Sequence, residues 1–265
     1  MTRRPRPARP PRQEARTLLR IAGLPAVTAL FAAAPERVER LFFEPRMKVV
    51  VGPFCAALAQ ARKPYRVVGA EELERVAGTA VHGGVVAVAQ PRKLPSLDLA
   101  DAAQWARDGR TLLLLDGIGN PHNLGAIART AAFFGLPRLV LSDHPEQAAP
   151  SDASYRVAEG GLEQLALYRA AGFAAALRRL RQSYRVLGTT LAKGRPLPAL
   201  HKSDRPFALV LGNEEDGLPR TTLAACDEVV TIPGAGRVQS LNVSAGAAVL
   251  IYALQELCDR EGRRT

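Results

Sequence analysis

Residues 112–131 read LLLLDGIGNPHNLGAIARTA, and they contain the clearest structural signal in the chain. The leucines predict a buried strand over Thr111–Leu115, because a run that is apolar at every position needs cover on both faces. The segment rich in glycine and asparagine predicts a loop, and Leu124 and Ile127 then follow at helical spacing. Asn123 is predicted to cap that helix. A strand, a loop and a helix in this order are typical of a parallel α/β sheet.

Comparable apolar runs recur towards the carboxyl terminus. The predicted strands are Thr111–Leu115, Arg138–Leu141, Leu165–Tyr168, Arg185–Thr189, Ala208–Leu211 and Val229–Ile232. Helical patterns lie between most of them, including Ala170–Leu180, and a long helix is predicted at Val243–Leu257. This alternation predicts a parallel sheet covered on both faces, with ligands bound beyond the carboxyl ends of its strands.

The residues before position 92 predict a second, smaller α/β unit. Its predicted helices are Pro25–Ala34, Lys48–Arg62 and Glu71–Ala77, and its predicted strands are Val38–Phe43, Val67–Val68 and Val85–Val88. The prolines of Pro91-Arg92-Lys93-Leu94-Pro95 suggest a linker. We therefore expect a disordered basic tail at 1–16, a small domain at 17–91, a linker at 92–108 and a larger domain at 109–260.

The charge balance favours a polyanionic partner. The formal net charge is +11, with 36 Lys and Arg against 25 Asp and Glu in 265 residues. Each basic side chain that neutralises a phosphate releases a counterion, so nucleic acid is the favoured partner, and a merely basic enzyme is the alternative. The tail 1–16 is either a phosphate-binding arm or a solubilising segment.

The cysteines and the apolar runs exclude several other classes of protein. Cys55, Cys226 and Cys258 stand apart from one another and show no C-x-x-C spacing. This argues against a zinc module and a disulfide framework, and it indicates a reducing cytoplasm. No apolar run reaches the length of a membrane span, so no membrane association is expected. We expect a cytoplasmic protein without a bound metal.

Three loops carry the candidate chemistry, and none matches a common nucleotide motif. In the first loop, His122 stands where the dinucleotide pattern G-x-G-x-x-G needs its last glycine, which excludes a nicotinamide dehydrogenase. In the second, Gly212 and Gly217 have the spacing of a phosphate-binding P-loop, but its Lys and Ser/Thr are missing. The third loop, 233–244, leads into a helix of small residues that allow close backbone approach.

Taken together and in this order, the loops closely resemble the three motifs of the SpoU/TrmH family of RNA ribose 2′-O-methyltransferases. The first motif, Asn-x-Gly-x-Ile-x-Arg-Thr-Ala, is matched by Asn123, Gly125, Ile127, Arg129, Thr130 and Ala131. The second is matched by Gly212, Asn213, Glu214, Gly217 and Leu218. The third is matched by Ile232, Pro233 and the run from Ser240 to Ser244. Residues 20–89 resemble the ribosomal-protein-like RNA-binding domain of several members.

This resemblance implies a knotted α/β fold, in which the second and third motifs form a deep trefoil knot. It implies S-adenosylmethionine as the cofactor and a homodimer with active sites at the subunit interface. It also implies that the cofactor is bound largely through backbone groups of Leu211, Gly212, Ile232, Ser240, Leu241 and Val243.

The resemblance implies that Arg129 activates the ribose 2′-hydroxyl. An arginine is a poor general base, because its pKa lies above about 12. We therefore expect Arg129 to hold the adjacent phosphate and stabilise the developing alkoxide, with the phosphate or Glu214 receiving the proton. Asn123, Glu214, Ser240 and Asn242 are expected to form the supporting polar groups of the site. Arg129, Arg156 and His82 are expected to contact RNA, although a histidine in such a loop more commonly has a structural role.

Three alternatives are open at this point. The first is an RNA-binding scaffold that keeps the fold without catalysis, against which the intact Arg129, Glu214 and Asn242 argue. The second is a methyltransferase that modifies a base, against which the serine and asparagine of the third motif argue. The third is a transfer RNA substrate, although an added RNA-binding domain favours ribosomal RNA.

Overall fold

The computed structural model describes residues 18–191 and 194–259, and the predicted tail at 1–16 lies outside them. Residues 19–89 form a four-stranded sheet with helices. In chain order the elements are β1 (Leu19–Ala22), α1 (Leu24–Ala33), β2 (Val38–Phe43), α2 (Gly52–Gln60), β3 (Tyr65–Val67), α3 (Ala70–Ala77) and β4 (Val85–Ala89). The strand order is β1-β4-β2-β3, and only the edge pair β2-β3 is parallel.

The larger unit is a parallel sheet of seven strands. Its strands are β5 (Leu112–Asp116), β6 (Arg138–Ser142), β7 (Ala166–Ala170), β8 (Arg185–Thr189), β9 (Arg195–Pro196), β10 (Phe207–Gly212) and β11 (Glu228–Thr231). Its helices are α4 (Leu99–Trp105), α5 (Pro121–Phe133), α6 (Asp152–Ala158), α7 (Gly161–Gln164), α8 (Phe173–Leu180), α9 (Arg220–Leu223) and α10 (Val243–Asp259). The mixed α/β fold predicted from the sequence is confirmed.

The order of the strands brings distant loops together. The sheet runs β7-β6-β5-β10-β8-β11-β9, so β10 lies between β5 and β8 although it follows both in the chain. Gly212, which ends β10, pairs with Asp116, which ends β5. The first and second motif loops therefore leave the same edge of the sheet side by side.

The leucine run of β5 is buried on both faces of the sheet. Leu113 and Leu115 belong to the core under α5 and α10, whereas Leu112 and Leu114 belong to the core under α4 and α8. Alternate residues of a strand point to opposite faces, so a run without polar positions is what a doubly covered strand requires.

Several predicted boundaries were wrong. Asn123 does not cap α5, because the helix begins at Pro121 and the side chain of Asn120 accepts a hydrogen bond from the His122 amide at 2.8 Å. Proline suits the first helical turn, where its missing N–H costs nothing. Helix α8 begins at Phe173 instead of Ala170, because Ala170 completes β7 and Gly172 turns the chain with a φ of 60°.

Two other segments differ from the sequence prediction. The helix expected at Lys48–Arg62 is limited to Gly52–Gln60, with a short 3-10 turn at Pro45–Met47 before it. The segment 92–108, predicted as a linker, contains α4 and also extends the sheet, since the Leu97 amide donates to the Arg169 carbonyl at the edge of β7.

Candidate active site

A cavity of about 530 Å³ opens where the second and third motif loops meet α10. It is lined by the ends of β8, β10 and β11, by residues 233–241 and by the first turns of α10. All six residues predicted to contact the cofactor lie around it, namely Leu211, Gly212, Ile232, Ser240, Leu241 and Val243. Residues dispersed over 33 positions of the sequence thus converge on one cavity.

The second loop closes tightly because it contains glycine at two decisive positions. A side chain at Gly212 would place its Cβ 2.5 Å from the carbonyl carbon of Gly217, so only glycine fits there. Gly217 has a φ of 70°, in the left-handed region that glycine adopts without strain. The loop returns on itself through a hydrogen bond of 3.0 Å from the Gly217 amide to the Asn213 carbonyl.

Asn213 ties the second loop to the first. Its Nδ2 donates to the Gly117 carbonyl at 3.1 Å, and its Oδ1 accepts from the Glu215 amide at 2.8 Å. Asn213 belongs to the second motif, but no role was predicted for it. A side chain of this kind could have been found from its place after a strand end, where an asparagine often bonds to the backbone two residues on.

A chain of hydrogen bonds joins all three motifs. The Nδ2 of Asn123 donates to Glu214, and the Oδ1 of Asn123 accepts from Asn242 at 3.2 Å. Asn242 in turn accepts from the Ser244 amide at 2.9 Å and from its hydroxyl at 2.6 Å. Glu214 lines the cavity, so this relay of Asn242, Asn123 and Glu214 ends at the expected cofactor position. Of the four predicted polar residues of the site, the structure brings these three together.

Ser240 lies apart from the relay. It is exposed on the third loop and lines the cavity, and within the described residues it forms no hydrogen bond with Asn123 or Glu214. Its hydroxyl is thus available to a ligand in the cavity.

Arg129 does not line the cavity of its own chain. It follows Asn123 by six residues on α5, a distance of about 9 Å along the helix axis, and points to another side of the helix. Its Nη2 lies 2.9 Å from the Glu159 carboxylate, and 57% of its side chain is exposed. No local sequence pattern pointed to Glu159 as a partner of Arg129, so this ion pair was not predicted.

The other two residues expected to contact RNA have different surroundings. Arg156 lies half-buried in the last turn of α6, close in sequence to Glu159. His82 is only 7% exposed, and its Nδ1 accepts a hydrogen bond from the Gly84 amide at 3.1 Å. This contact gives His82 a structural role in the turn before β4, and its contact with RNA stays a prediction.

Among residues 18–191 and 194–259, no group of three or more His, Cys, Asp and Glu side chains has the arrangement of a metal site. In the same part of the chain, no helix combines the length and the apolar character that crossing a bilayer requires.

Comparison with known proteins assigns the chain to a family. The model described as the SpoU rRNA Methylase family matches residues 110–252. The chain belongs to this family. A second model, RNA 2′-O ribose methyltransferase substrate binding, matches residues 20–95. The family predicted from the three motifs is confirmed, and with it the prediction of an RNA methyltransferase.

Individual relatives agree with this membership. The 23S rRNA (guanosine-2′-O-)-methyltransferase RlmB of Haemophilus ducreyi is 33% identical over 240 residues, which cover 88% of this chain and 96% of the relative. An uncharacterized tRNA/rRNA methyltransferase of Synechocystis is 37% identical over 186 residues, and the match covers 69% of this chain and 47% of that longer protein.

Solved structures show the same fold. The rRNA methyltransferase from Sinorhizobium meliloti with bound AdoMet superposes with a TM-score of 0.76 over 92% of this chain and 88% of its own, at 23% identity. The coverage includes both the small unit and the seven-stranded sheet.

Proposed function

We propose that the chain transfers a methyl group from S-adenosylmethionine to the ribose 2′-hydroxyl of a guanosine in 23S ribosomal RNA. The observation that carries this proposal is the relay of Asn242, Asn123 and Glu214, which joins the three motifs at the edge of the cavity. The RlmB relatives, which match 88% of the chain, supply the substrate class. The net charge of +11 is suited to a polyanion.

The cavity fits the proposed cofactor in size and chemistry. Its volume of about 530 Å³ falls within the usual range for small-molecule sites. Leu211, Ile232 and Leu241 offer apolar contact for an adenine ring, and Glu214 offers a negative charge for a cationic ligand. When bound, S-adenosylmethionine supplies a methyl group that is already activated at a positively charged sulfur.

The chain's own groups would orient the acceptor and remove its proton. Arg129 would hold a phosphate next to the target ribose and stabilise negative charge on the 2′-oxygen, since guanidinium binds phosphate through paired hydrogen bonds. Glu214, which lines the cavity and is oriented by Asn123, or the phosphate itself would receive the proton. Alignment of donor and acceptor supplies about 7–11 kcal/mol of the barrier reduction.

A homodimer would complete this site. Arg129 lies outside the cavity of its own chain, and large apolar side chains are exposed nearby on α5 and α10. These are Phe133 at 82%, Tyr252 at 56% and Val249 at 41% exposure. Exposed apolar patches mark interaction surfaces. We propose that a second copy covers this face and that Arg129 serves the cavity of the partner.

The proposed trefoil knot would lie where the third loop meets α10. The third loop, 233–242, leads from β11 near the far edge of the sheet back to α10, which packs against α5 and β10 at the centre. We propose that this return path forms the crossing that the knot requires.

Transfer of tritium from labelled S-adenosylmethionine to 23S ribosomal RNA transcribed in vitro would test the activity. We expect one labelled guanosine, mapped by its resistance to alkaline cleavage. Label in transfer RNA instead would contradict the substrate class, and label in the base would contradict the ribose. A ribosomal substrate would place the enzyme in the cytoplasm.

Mixing two inactive variants would test the shared site. Arg129→Ala removes the arginine that one subunit would supply, and Glu214→Gln removes the carboxylate that the other would supply. A mixed dimer therefore contains one site with both wild-type residues and one site with neither. We expect activity to return to about a quarter of the wild type, the share of intact sites in a random mixture. No recovery, with subunit exchange verified by light scattering and affinity tags, would contradict a site built from two chains.

Arg129→Lys separates the two chemical roles of the arginine. Loss of activity together with loss of RNA affinity would support the phosphate-holding role. Retained activity with a pH profile moved to lower pH would support base chemistry instead, because lysine has a lower pKa than arginine.

A further inference from the structure

Arg129, which is proposed to hold an RNA phosphate, forms an ion pair with Glu159. Glu159 Oε2 lies 2.9 Å from Arg129 Nη2, and both side chains are about half exposed, at 49% and 57%. A carboxylate at this distance places its negative charge where a phosphate oxygen bound to the guanidinium would lie.

The backbone that carries Glu159 is held in an unusual conformation. Glu159 has a φ of 47° and a ψ of 42°, the left-handed region, and ends α6. Arg62 is the other residue besides glycine with positive φ among those that the structure describes. A non-glycine residue in this region costs free energy, and such residues persist where the surrounding structure over-determines them.

The surroundings of Glu159 explain how that conformation is maintained. A Cβ at Gly160 would lie 2.9 Å from the Cβ of Ala29 on α1, and a Cβ at Gly161 would lie 2.8 Å from the Cα of Arg129 on α5. The segment 159–161 is thus packed between α1 of the small unit and α5, the helix that contains Arg129. Its position is set from both sides, and the Glu159 carboxylate is directed at Arg129.

We infer that Glu159 is an internal competitor for the anion site of Arg129, which substrate RNA must displace before methyl transfer. This inference rests on the proposed role of Arg129 in holding a phosphate. An exposed ion pair is weak, so a phosphate with additional contacts elsewhere displaces it readily. The pair therefore lowers affinity for any RNA whose phosphate binds Arg129, and the other contacts of that RNA with the protein must offset this cost.

Kinetics with 23S ribosomal RNA transcribed in vitro test this inference. We expect Glu159→Gln to lower KM for that RNA by about two- to fivefold, the range for loss of one exposed ion pair. We expect kcat at saturating RNA to stay within about twofold of the wild type. A KM that is unchanged or raised, or a fall in kcat at constant KM, would overturn the inference, because Glu159 would then only position Arg129 or do nothing.

Two further variants test whether the effect of Glu159→Gln comes from the lost ion pair with Arg129. Glu159→Asn also removes the charge, and asparagine tolerates the left-handed backbone, so it should reproduce the lower KM even if the glutamine variant folds poorly. Asp108→Asn breaks another ion pair, Asp108–Arg138 at 3.0 Å, at the start of β6 and away from the motif loops, and should leave KM unchanged. A lower KM in that variant too would show a general charge effect and overturn the inference.

The background of Arg129→Ala separates this inference from the proposed function. In that background, Glu159→Gln should have no effect on RNA binding measured by filter retention. If Arg129→Ala itself keeps the wild-type RNA affinity, the phosphate-holding role fails and the inference fails with it. If Arg129→Ala loses affinity while Glu159→Gln changes nothing in the wild-type background, only the competition by Glu159 is overturned.

Discussion

The side chain of Asn123 lies between the Glu214 carboxylate and the Asn242 amide and bonds to both. It is 9% exposed, so neither its oxygen nor its nitrogen has ready access to water in its place in α5. Removing this amide leaves a partly buried carboxylate with one hydrogen-bond donor fewer. The loss of a hydrogen bond to a charged group costs about 1.5–3 kcal/mol.

We expect Asn123→Ala to lower kcat/KM for RNA methylation by about 10- to 100-fold, the rate equivalent of that free energy. Methyl transfer under subsaturating RNA measures it. Asn120→Ala is the matched control, because it removes the cap of the same helix at a stability cost of about 1 kcal/mol. An equal loss of activity in both variants would contradict a catalytic role for the relay.

Tyr184 provides a pH-dependent contribution to stability. It is 1% exposed, and burial raises its pKa to about 12, with a smaller raising effect from Asp108 and an opposing one from Arg138. The unfolded phenol titrates near pH 10. The folded protein thus keeps a proton that the unfolded chain loses, so this stability is present below pH 10 and is lost as the pH rises towards 12.

We expect the free energy of unfolding of the wild type to fall between pH 10 and 12, and Tyr184→Phe to reduce that slope. The difference in slope should approach about 1.4 kcal/mol per pH unit, the value for one proton. Urea unfolding at pH 8, 10, 11 and 12 measures it. Cys226, whose pKa burial also raises to about 12, contributes equally to both proteins. Parallel curves would show that Tyr184 is not responsible.

At the scale of the elements, helices α5 and α6 are in close contact at Gly125 of α5. A Cβ at Gly125 would lie 2.5 Å from the Ser154 carbonyl oxygen and 2.9 Å from the Cβ of Val157. Glycine lowers the stability of a helix by about 1 kcal/mol relative to alanine, so propensity alone would favour alanine at this position. The contact with the α6 backbone is the stronger effect, because overpacking a core costs about 1–3 kcal/mol.

We therefore expect Gly125→Ala to reduce the free energy of unfolding by up to about 2 kcal/mol, the excess of overpacking over helix propensity. Gly52→Ala at the start of α2 is the control, because its Cβ would meet no atom within 4 Å. That control should be neutral or slightly stabilising. Chemical denaturation measures both, and a stabilised Gly125→Ala would disprove the close contact.

At the scale of the whole molecule, a buried ionic network joins the two units. Arg37 Nη1 lies 2.8 Å from Glu163 Oε1, with 12% and 2% of the side chains exposed. Arg37 Nη2 also donates to the Tyr155 hydroxyl at 3.2 Å. Burial and the neighbouring Glu163 charge raise the pKa of Tyr155, so its phenol stays neutral as an acceptor. Arg92 donates to the Leu162 carbonyl at 2.8 Å and completes the junction.

Removing one partner of this network should be costly. We expect Arg37→Ala to destabilise the protein by about 3–5 kcal/mol, because Glu163 is left buried with weaker compensation. A double-mutant cycle with Glu163→Gln should give a coupling energy above about 1 kcal/mol, beyond the range for exposed pairs. The exposed pair Arg66–Glu72 serves as the reference. Equal coupling energies in the two cycles would contradict the prediction that the buried Arg37–Glu163 pair is coupled more strongly than an exposed pair.

Local pattern was sufficient for much of this protein. The leucine run, the helical spacing after it and the three loop motifs predicted the sheet strands, the family and six residues that line one cavity. Such features depend on neighbours within a few positions, where the periods of strands and helices and the turn preferences of glycine operate. Boundaries were less accurate: Asn123 was predicted to cap α5, whereas the helix begins at Pro121 and Asn120 is its cap.

Contacts between distant residues could not be predicted in the same way. The pairing of Arg129 with Glu159, the relay through Asn123 and the burial of Arg37 against Glu163 join positions 30 to 126 residues apart. They follow from the insertion of β10 beside β5 and from glycines that let helices touch, neither of which leaves a local pattern. Strand order and helix approach depend on how the whole core packs, because burial of apolar surface is not directional and does not specify partners in advance.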